Sequence, residues 1–330
     1  ITGGAGYIGS HCVISLIENG FNPIIIDNFS NSHKGILKNL EIILGKKVTF
    51  YNIDIRNKKK LKSIIKKHSC YAIIHCAGFK SVVESVKKPF HYFDNNIGTT
   101  LSLLECMREN NVFKLIFSSS AAVYDDKQPL PLRETAKTGF TKNPYGNSKY
   151  IIERILMDLA KYDKKWSIRI ARYFNPISNH SSGLLKEDPK GIPNNLFPSI
   201  IRVIQKKITK LKIYGKNYNT KDGTGIRDYI HVMDLADGHC SALEYLLISK
   251  PALLTVNLGT GIGTSVKQVI NEFEKIIDKK LTYKIVNKRS GDTAIAIADV
   301  SMAKKLLKWE AKRNLNQMCF DSWNWELSNN

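Results

Sequence analysis

In the first half of the chain, short apolar runs alternate with longer stretches whose apolar residues recur at helical spacing. The runs are Pro23-Ile-Ile-Ile-Asp27, Val48-Thr-Phe-Tyr51, Tyr71-Ala-Ile-Ile-His-Cys76, Lys114-Leu-Ile-Phe-Ser118 and Trp166-Ser-Ile-Arg-Ile-Ala-Arg172. Runs of this length read as strands, and each is followed by a segment long enough for a helix. Strands that are apolar throughout must be covered on both faces, which is the environment of a parallel sheet between two helical layers. The fold class expected is therefore α/β, a doubly wound parallel sheet. Ligands of such sheets lie at the carboxyl ends of the strands. Ile1-Thr2 reads as the tail of one further strand.

The pattern changes after Arg172. Residues 176–193 form a long loop rich in Gly, Pro, Ser and Asn, and loops of that length inside a compact domain are usually functional or disordered. A helix is expected over 196–207, a strand over 227–232 and a helix over 233–247, with this strand and helix rejoining the first sheet. Further helices are expected at 266–277, 302–307 and 315–325. At 330 residues, two domains fit the length. They are taken as 1–173, a dinucleotide-binding Rossmann-like unit that 226–248 rejoins, and 174–330, a smaller α/β substrate unit.

The candidate chemistry falls on the strand ends. Gly3-x-x-Gly6-x-x-Gly9 opens an apolar helix over 7–17. Glycines there let backbone approach a pyrophosphate, which meets the unpaired N–H groups of the helix N-terminus. No Gly-Lys-Ser/Thr follows, so a nucleoside-triphosphate loop is not expected. Asp27 ends the second strand, where a carboxylate hydrogen-bonds an adenosine ribose diol and repels a 2′-phosphate; this favours NAD over NADP. Asp54, the stretch Cys76-Ala-Gly-Phe-Lys80 and the triplet Ser118-Ser-Ser120 also follow strands and face the same edge. Tyr145 and Lys149, at i and i+4 in Asn143-Pro-Tyr-Gly-Asn-Ser-Lys149, share one helix face. An ammonium beside a phenol favours the phenolate. Bringing a tyrosine from about 10 to neutrality takes roughly 4 kcal/mol. One lysine does not supply all of that, and an oxidised nicotinamide would add a second positive charge. The combination points to hydride transfer from an alcohol.

Composition bounds the alternatives. A hydrophobic content of 43% with 24% charged residues suits a globular core. No apolar run reaches the roughly 20 residues of a membrane span, so no membrane partner is expected. Lys and Arg number 50 against 29 Asp and Glu, a formal charge of +21. Such a surplus draws polyanions. Here the lysines of 58–67 and 206–212 read as solvated faces with no nucleic-acid motif beside them, so no nucleic-acid partner is expected. Cys12, Cys70, Cys76, Cys106, Cys240 and Cys319 contain no Cys-x-x-Cys pair and no local His cluster. They read as free thiols of a reducing compartment, the cytoplasm, and no metal site is expected.

With these residues in view, the chain resembles the extended short-chain dehydrogenase/reductases, and within them the UDP-glucose (UDP-galactose) 4-epimerases. The likeness runs through Thr2-Gly-Gly-Ala-Gly-Tyr-Ile-Gly-Ser-His11, Asn143 to Lys149, Arg172-Tyr-Phe-Asn-Pro176 and Gly191-Ile-Pro-Asn-Asn-Leu196. It continues through Asp222 to His239 and Asn257-Leu-Gly-Thr-Gly261. It implies a tightly held NAD that is reduced and reoxidised within each turnover. Tyr145 takes the proton of the sugar 4-hydroxyl, Lys149 lowers the tyrosine pKa and holds the nicotinamide ribose, and Ser120 bridges the 4-oxygen and Tyr145. The 4-keto sugar then turns about its diphosphate linkage, and hydride return inverts carbon 4.

The same resemblance implies cofactor contacts from Gly3, Gly6, Tyr7, Ile8 and Gly9, from Asp27, Asn28, Asn31 and Ser32, and from Asp54 and Ile55. It adds Cys76, Ala77, Gly78, Lys80, Asn95, Ser118 and Phe174. For the UDP-hexose it implies Asn175, Asn195, Arg227 and Arg289 around the diphosphate and Asp292 at the uridine ribose. Leu196, Leu211 and Tyr214 would line the base pocket. Helices over 90–110 and 145–161 would pair two subunits into a homodimer. Galactose metabolism and nucleotide-sugar supply are the role implied.

Departures from the family pattern are Asp125, where glycine is usual, and Cys76, where Phe or Ala is frequent. Ala296, in register from Gly291-Asp292, falls where relatives that reject N-acetylated sugars carry tyrosine, so activity on UDP-GlcNAc and UDP-GalNAc is expected as well. A 4,6-dehydratase needs an acid pair where this chain has Ser119-Ser-Ala121. A net reductase usually prefers NADP, which Asp27 disfavours, and a binding module without turnover has no use for the Tyr145–Lys149 pair.

Overall fold

The structure, a computed structural model, describes residues 1–126, 128–188, 195–289 and 292–328. The first elements are α1 (Tyr7–Glu18), β1 (Ile24–Asp27), α2 (Gly35–Leu44), β2 (Thr49–Asn52), α3 (Lys58–Lys67), β3 (Ile73–His75), α4 (Val82–Lys87), α5 (Pro89–Glu109), β4 (Lys114–Ser120), α6 (Pro144–Tyr162) and β5 (Ser167–Tyr173). There follow β6 (Asn175–Ile177), α7 (Leu196–Ile204), β7 (Leu211–Tyr214), β8 (Ile226–His231), α8 (Val232–Ile248), β9 (Leu253–Leu258), β10 (Gly263–Ser265), α9 (Val266–Ile277), β11 (Tyr283–Val286), β12 (Ile295–Ala296) and α10 (Leu315–Ser328).

The five apolar runs of the first half are all parallel strands. β2 pairs with β1, and β3-β4-β5-β9 pair in that order. Thr2 bridges β1 at Ile26 and β3 at His75, joining the two pieces into one sheet. Alternate residues feed opposite layers, as the period of a strand requires. Ile73 and Phe117 pack with Leu61, Leu103, Ile152 and Trp166 on one face. Their neighbours Ile74 and Ile116 pack with Leu16, Leu235, Leu243 and Leu258 on the other. Each such buried side chain contributes about 1.5–3 kcal/mol. In α3, Leu61, Ile64 and Ile65 face inward, while Lys58 and Lys62 on its outer side pair with Glu105 and Glu109 of α5. This part of the basic surplus is a solvated helix face.

One expectation is corrected. The strand β8 does not rejoin the first sheet. It lies beside β6 and β12 in parallel and β10 antiparallel. The edge of the first sheet is taken by β9, parallel to β5. Leu253–Leu258 carries no charge, whereas β8 brings Arg227 and Asp228. Asp228 is buried with Thr260, Gly261 and Ala298 donating to its carboxylate, from the β9–β10 connection and the residues just after β12. The helix that follows, α8, does cover the first sheet through Leu235 and Leu243. A separate core of Phe197, Ile200, Ile213 and Phe273 fills the remaining unit, where β7 and β11 pair.

Candidate active site

The first turn of α1 is built to receive an anion. Its N-cap, Gly6, contributes no side-chain cap, and no acidic residue occupies the first turn. The unpaired N–H groups and the positive end of the helix dipole are left for a ligand. Gly3 has φ +68, and a Cβ there would lie 2.7 Å from the Ala77 nitrogen. Only glycine lets this turn pass the end of β3. Asp27 receives the Ala5 N–H at 3.0 Å, the Phe29 N–H at 2.8 Å and the Ser32 hydroxyl at 3.0 Å. A carboxylate offers about four acceptor positions, so it retains capacity for a ribose hydroxyl. Ser32 thus holds the carboxylate in place. Asp54 accepts from Arg56 and Asn28, and the Arg56 guanidinium keeps its carboxyl below the usual range.

A cleft runs from this turn along the strand ends. Its walls include Gly3, Gly6, Tyr7, Ile8, Gly9, Asp27, Asn28, Asn31 and Ser32, then Asp54, Ile55, Cys76, Ala77, Gly78, Lys80 and Asn95, and finally Tyr145 and Lys149. The stretch Lys186-Glu-Asp188 also lines it. Glu187 receives Lys80 at 2.7 Å and Asn195 at 2.8 Å. This strap was not legible in the sequence, since nothing in a loop's composition says which edge it crosses.

At the far end, α6 starts at Asn143, whose side chain receives the Gly146 N–H at 2.9 Å, with Pro144 in the first turn. This fixes where the helix begins and hence where Tyr145 stands. Glu153, two turns on, makes a buried ion pair with Arg172 of β5 at 2.6 Å and also accepts from Ser119 of β4 at 2.5 Å. The pair clamps α6 across both strands. Asn96 completes the frame: it donates to Ser148 at 3.0 Å and to the Phe79 carbonyl, and accepts the Phe79 N–H. Its neighbour Asn95 lines the cleft.

Tyr145 and Lys149 are both buried at the cleft wall. The Lys149 ammonium donates to the Ser118 carbonyl at 2.7 Å. Burial pushes the Tyr145 phenol up, and its hydrogen bond with Ser120 pulls it only partly back. From the chain's own groups, then, the phenol is raised, with burial outweighing the Ser120 hydrogen bond. Burial also brings the lysine itself down to about 8, and one of its three N–H donors goes to the Ser118 carbonyl.

This depressed lysine has a consequence for stability. Its ordinary value is 10.5. Below pH 8 both folded and unfolded chains carry the proton, and the fold bears the cost of burying it. Between 8 and 10.5 the unfolded chain holds more protons, so stability rises with pH there. Lys149→Met should therefore raise the stability of cofactor-stripped protein at pH 7 by about 1–3 kcal/mol. The gain should shrink as pH approaches 10, read from denaturant midpoints at the two pH values.

Strand register and burial bear on several of the expected contacts. Phe174 does not line the cleft. It packs with Tyr124, Leu132 and Ala298, and its neighbour Tyr173 is the cleft residue. Leu211 and Tyr214 cannot both face one base, because in β7 Leu211 and Ile213 point into the core while Lys212 and Tyr214 point away. Ser118 also lies behind the cleft wall, fully buried, with its hydroxyl 3.2 Å from the Cys76 sulfur.

The other substrate-side residues are not among those lining the cofactor cleft, though Asn195 reaches its edge by donating to Glu187. Arg227 and Asp292 approach to 3.8 Å, and the Arg289 guanidinium lies 3.8 Å over the Tyr214 ring. Asn175, at the start of β6, and Asn195, capping α7, are exposed, and Leu196 packs at the edge of the smaller core. Ala296 pairs with Arg227. Gly191–Asn194 and Gly291 lie outside the described residues.

Residues 1–259 match the NAD dependent epimerase/dehydratase family, and the chain belongs to it. Full-length relatives narrow the likeness within that family. The UDP-glucose 4-epimerase of Dictyostelium discoideum is 47% identical over 100% of this chain and 95% of its own. That of Bacillus subtilis is 46% identical over 100% and 96%. Among solved structures, UDP-glucose 4-epimerase from Bifidobacterium longum, in complex with NAD+ and UDP, superposes with a TM-score of 0.95. It is 45% identical and covers 99% of this chain and 97% of that one.

Proposed function

We infer that the chain interconverts UDP-galactose and UDP-glucose by inverting carbon 4, using bound NAD. The observation that carries the reading is that Tyr145 and Lys149 wall the same cleft as the glycine turn and Asp27. The uncapped helix start, the turn that only glycine allows and the spare acceptor position of Asp27 fit a dinucleotide with a free ribose 2′-hydroxyl. When bound, NAD supplies the hydride acceptor and a positive charge.

The protein's part is proton handling and grip. Tyr145 accepts the proton of the 4-hydroxyl, and Ser120, hydrogen-bonded to it, orients the reacting oxygen. Since burial raises the phenol, the phenolate must draw on positive charge brought with the cofactor as well as on Lys149. Arg227 and Arg289 offer fixed donor forks to the diphosphate, and Asp292 beside Arg227 is placed for a ribose hydroxyl. A sugar that must turn over requires looser holding than the diphosphate beside it. Incubation with UDP-galactose without added NADH should yield UDP-glucose up to an equilibrium mixture with no net cofactor change. Absence of conversion even with added NAD would sink the reading.

Three finer statements belong to the same reading. Two copies pair through α5 and α6, a surface on which Phe90, Leu101 and Tyr162 are exposed apolar residues, with Val82, Val83 and Val86 of α4 beside it. The site of action is the cytoplasm, in keeping with six unpaired cysteines; among the described residues no helix is long and apolar enough to cross a membrane. The sugar pocket also admits N-acetylated hexoses because Ala296 is small. Ala296→Tyr should lower turnover of UDP-GlcNAc roughly 100-fold by steric exclusion while changing that of UDP-glucose less than about tenfold. Parallel assays of the two substrates on parent and variant check this, and equal losses on both would refute it.

A further inference from the structure

The sulfur atoms of Cys12 and Cys76 and a ring nitrogen of His239 all lie within 4.8 Å of one another. They come from three separate elements: α1, the turn after β3, and α8. Cys12 and His239 are fully buried, and Cys76 opens onto the cofactor cleft. None of the three is needed for proton or hydride transfer as derived above.

The histidine is already held as a ligand would be. Its Nδ1 is 2.9 Å from the Leu235 carbonyl, so the ring proton sits there and donates to that oxygen. Nε2 is left with its lone pair, 3.0 Å from the Ser118 hydroxyl. A ring N–H given to a backbone carbonyl is the usual outer contact of a metal-bound imidazole. The two sulfurs lie within 4.8 Å of each other, and Ser118 Oγ lies 3.2 Å from Cys76 Sγ.

We propose that Cys12, Cys76 and His239 form a binding site for a thiophilic divalent cation, Zn²⁺ by ligand type. Binding releases two thiol protons to solvent. The resulting pair of thiolates balances the ion, so the buried site carries no net charge. Tetrahedral zinc with bonds of about 2.3 Å to sulfur and 2.0 Å to nitrogen sets ligand separations of roughly 3.5–3.8 Å. The three atoms need close by only about 1 Å, within reach of cysteine rotamer changes. The fourth position falls to the Ser118 hydroxyl or to water from the cleft. Because the Ser118 carbonyl holds Lys149, occupancy at this site lowers turnover.

The test uses cofactor-loaded protein in a non-thiol reductant, given Zn²⁺, passed through gel filtration and analysed for metal. One zinc per chain is expected, with a thiolate-to-metal charge-transfer band when Co²⁺ replaces it. Cys12→Val and His239→Gln should each weaken binding at least tenfold. Cys12→Val should in addition keep turnover and lose its sensitivity to zinc. Zinc missing from the parent, or retained at full stoichiometry by both variants, would overturn the proposal. The metal readout needs no turnover, so it stands or falls apart from the epimerase reading.

Discussion

Tyr145→Phe is expected to lower kcat by about 10³-fold, the scale of a lost general base, while leaving the NAD content of the purified protein unchanged. The phenol is buried beside the cleft, with Ser120 as its hydrogen-bond partner, and phenylalanine keeps the ring and its packing. Only the hydroxyl that takes the proton is removed. Lys149, held by the Ser118 carbonyl at 2.7 Å, stays where it is. Rate measurement with UDP-galactose, alongside cofactor released on denaturation, checks both halves. A variant within tenfold of the parent would mean that another group accepts the proton.

Gly9→Ala is the second large effect. A Cβ at this position would sit 2.1 Å from the Gly3 carbonyl oxygen and 2.8 Å from the Gly4 Cα, both backbone. No rotamer change relieves such contacts, so the turn must open. Opening it moves the N–H groups that receive the pyrophosphate. NAD affinity should fall at least 100-fold, equivalent to about 2.7 kcal/mol. Gly35→Ala is the matched control: nothing lies within 4 Å of its Cβ and the position starts a helix, so stability should change by no more than about 1 kcal/mol. Cofactor content and thermal unfolding of the two variants separate these outcomes. Normal NAD retention by Gly9→Ala would show that the turn does not bind the pyrophosphate.

The parts of the molecule legible in the sequence are those set by local rules. The apolar runs of β1 to β5 are parallel strands, buried except at the edge strand β2, where Thr49 and Asn52 are exposed. The helix over 266–277 has the expected ends because Ser265 and Gln268 cap each other's backbone at its start. The glycine turn, Asp27 and the Tyr145–Lys149 pair fall in one cleft because strand carboxyl ends share an edge. What escaped depends on partners far along the chain. Which strand lies beside β5 is a choice between β8 and β9 that the local pattern does not make, since β5 itself buries Arg169 and Arg172 in the same sheet. Phe174 against Tyr173, and Leu211 against Tyr214, are decisions of one strand register that an apolar run does not reveal. The Lys186–Asp188 strap and the Cys12–Cys76–His239 cluster unite residues with no common spacing. The pKa of Tyr145 escaped for another reason: spacing shows which groups are near, while burial decides the sign.

The central claim is that carbon 4 is oxidised and reduced again by the same bound NAD. UDP-galactose carrying deuterium at carbon 4 tests this directly. The account predicts UDP-glucose with the deuterium still at carbon 4, in ordinary water and at catalytic amounts of protein. Loss of the label to solvent would show that carbon 4 is inverted by proton exchange and not by hydride return, and would contradict the account.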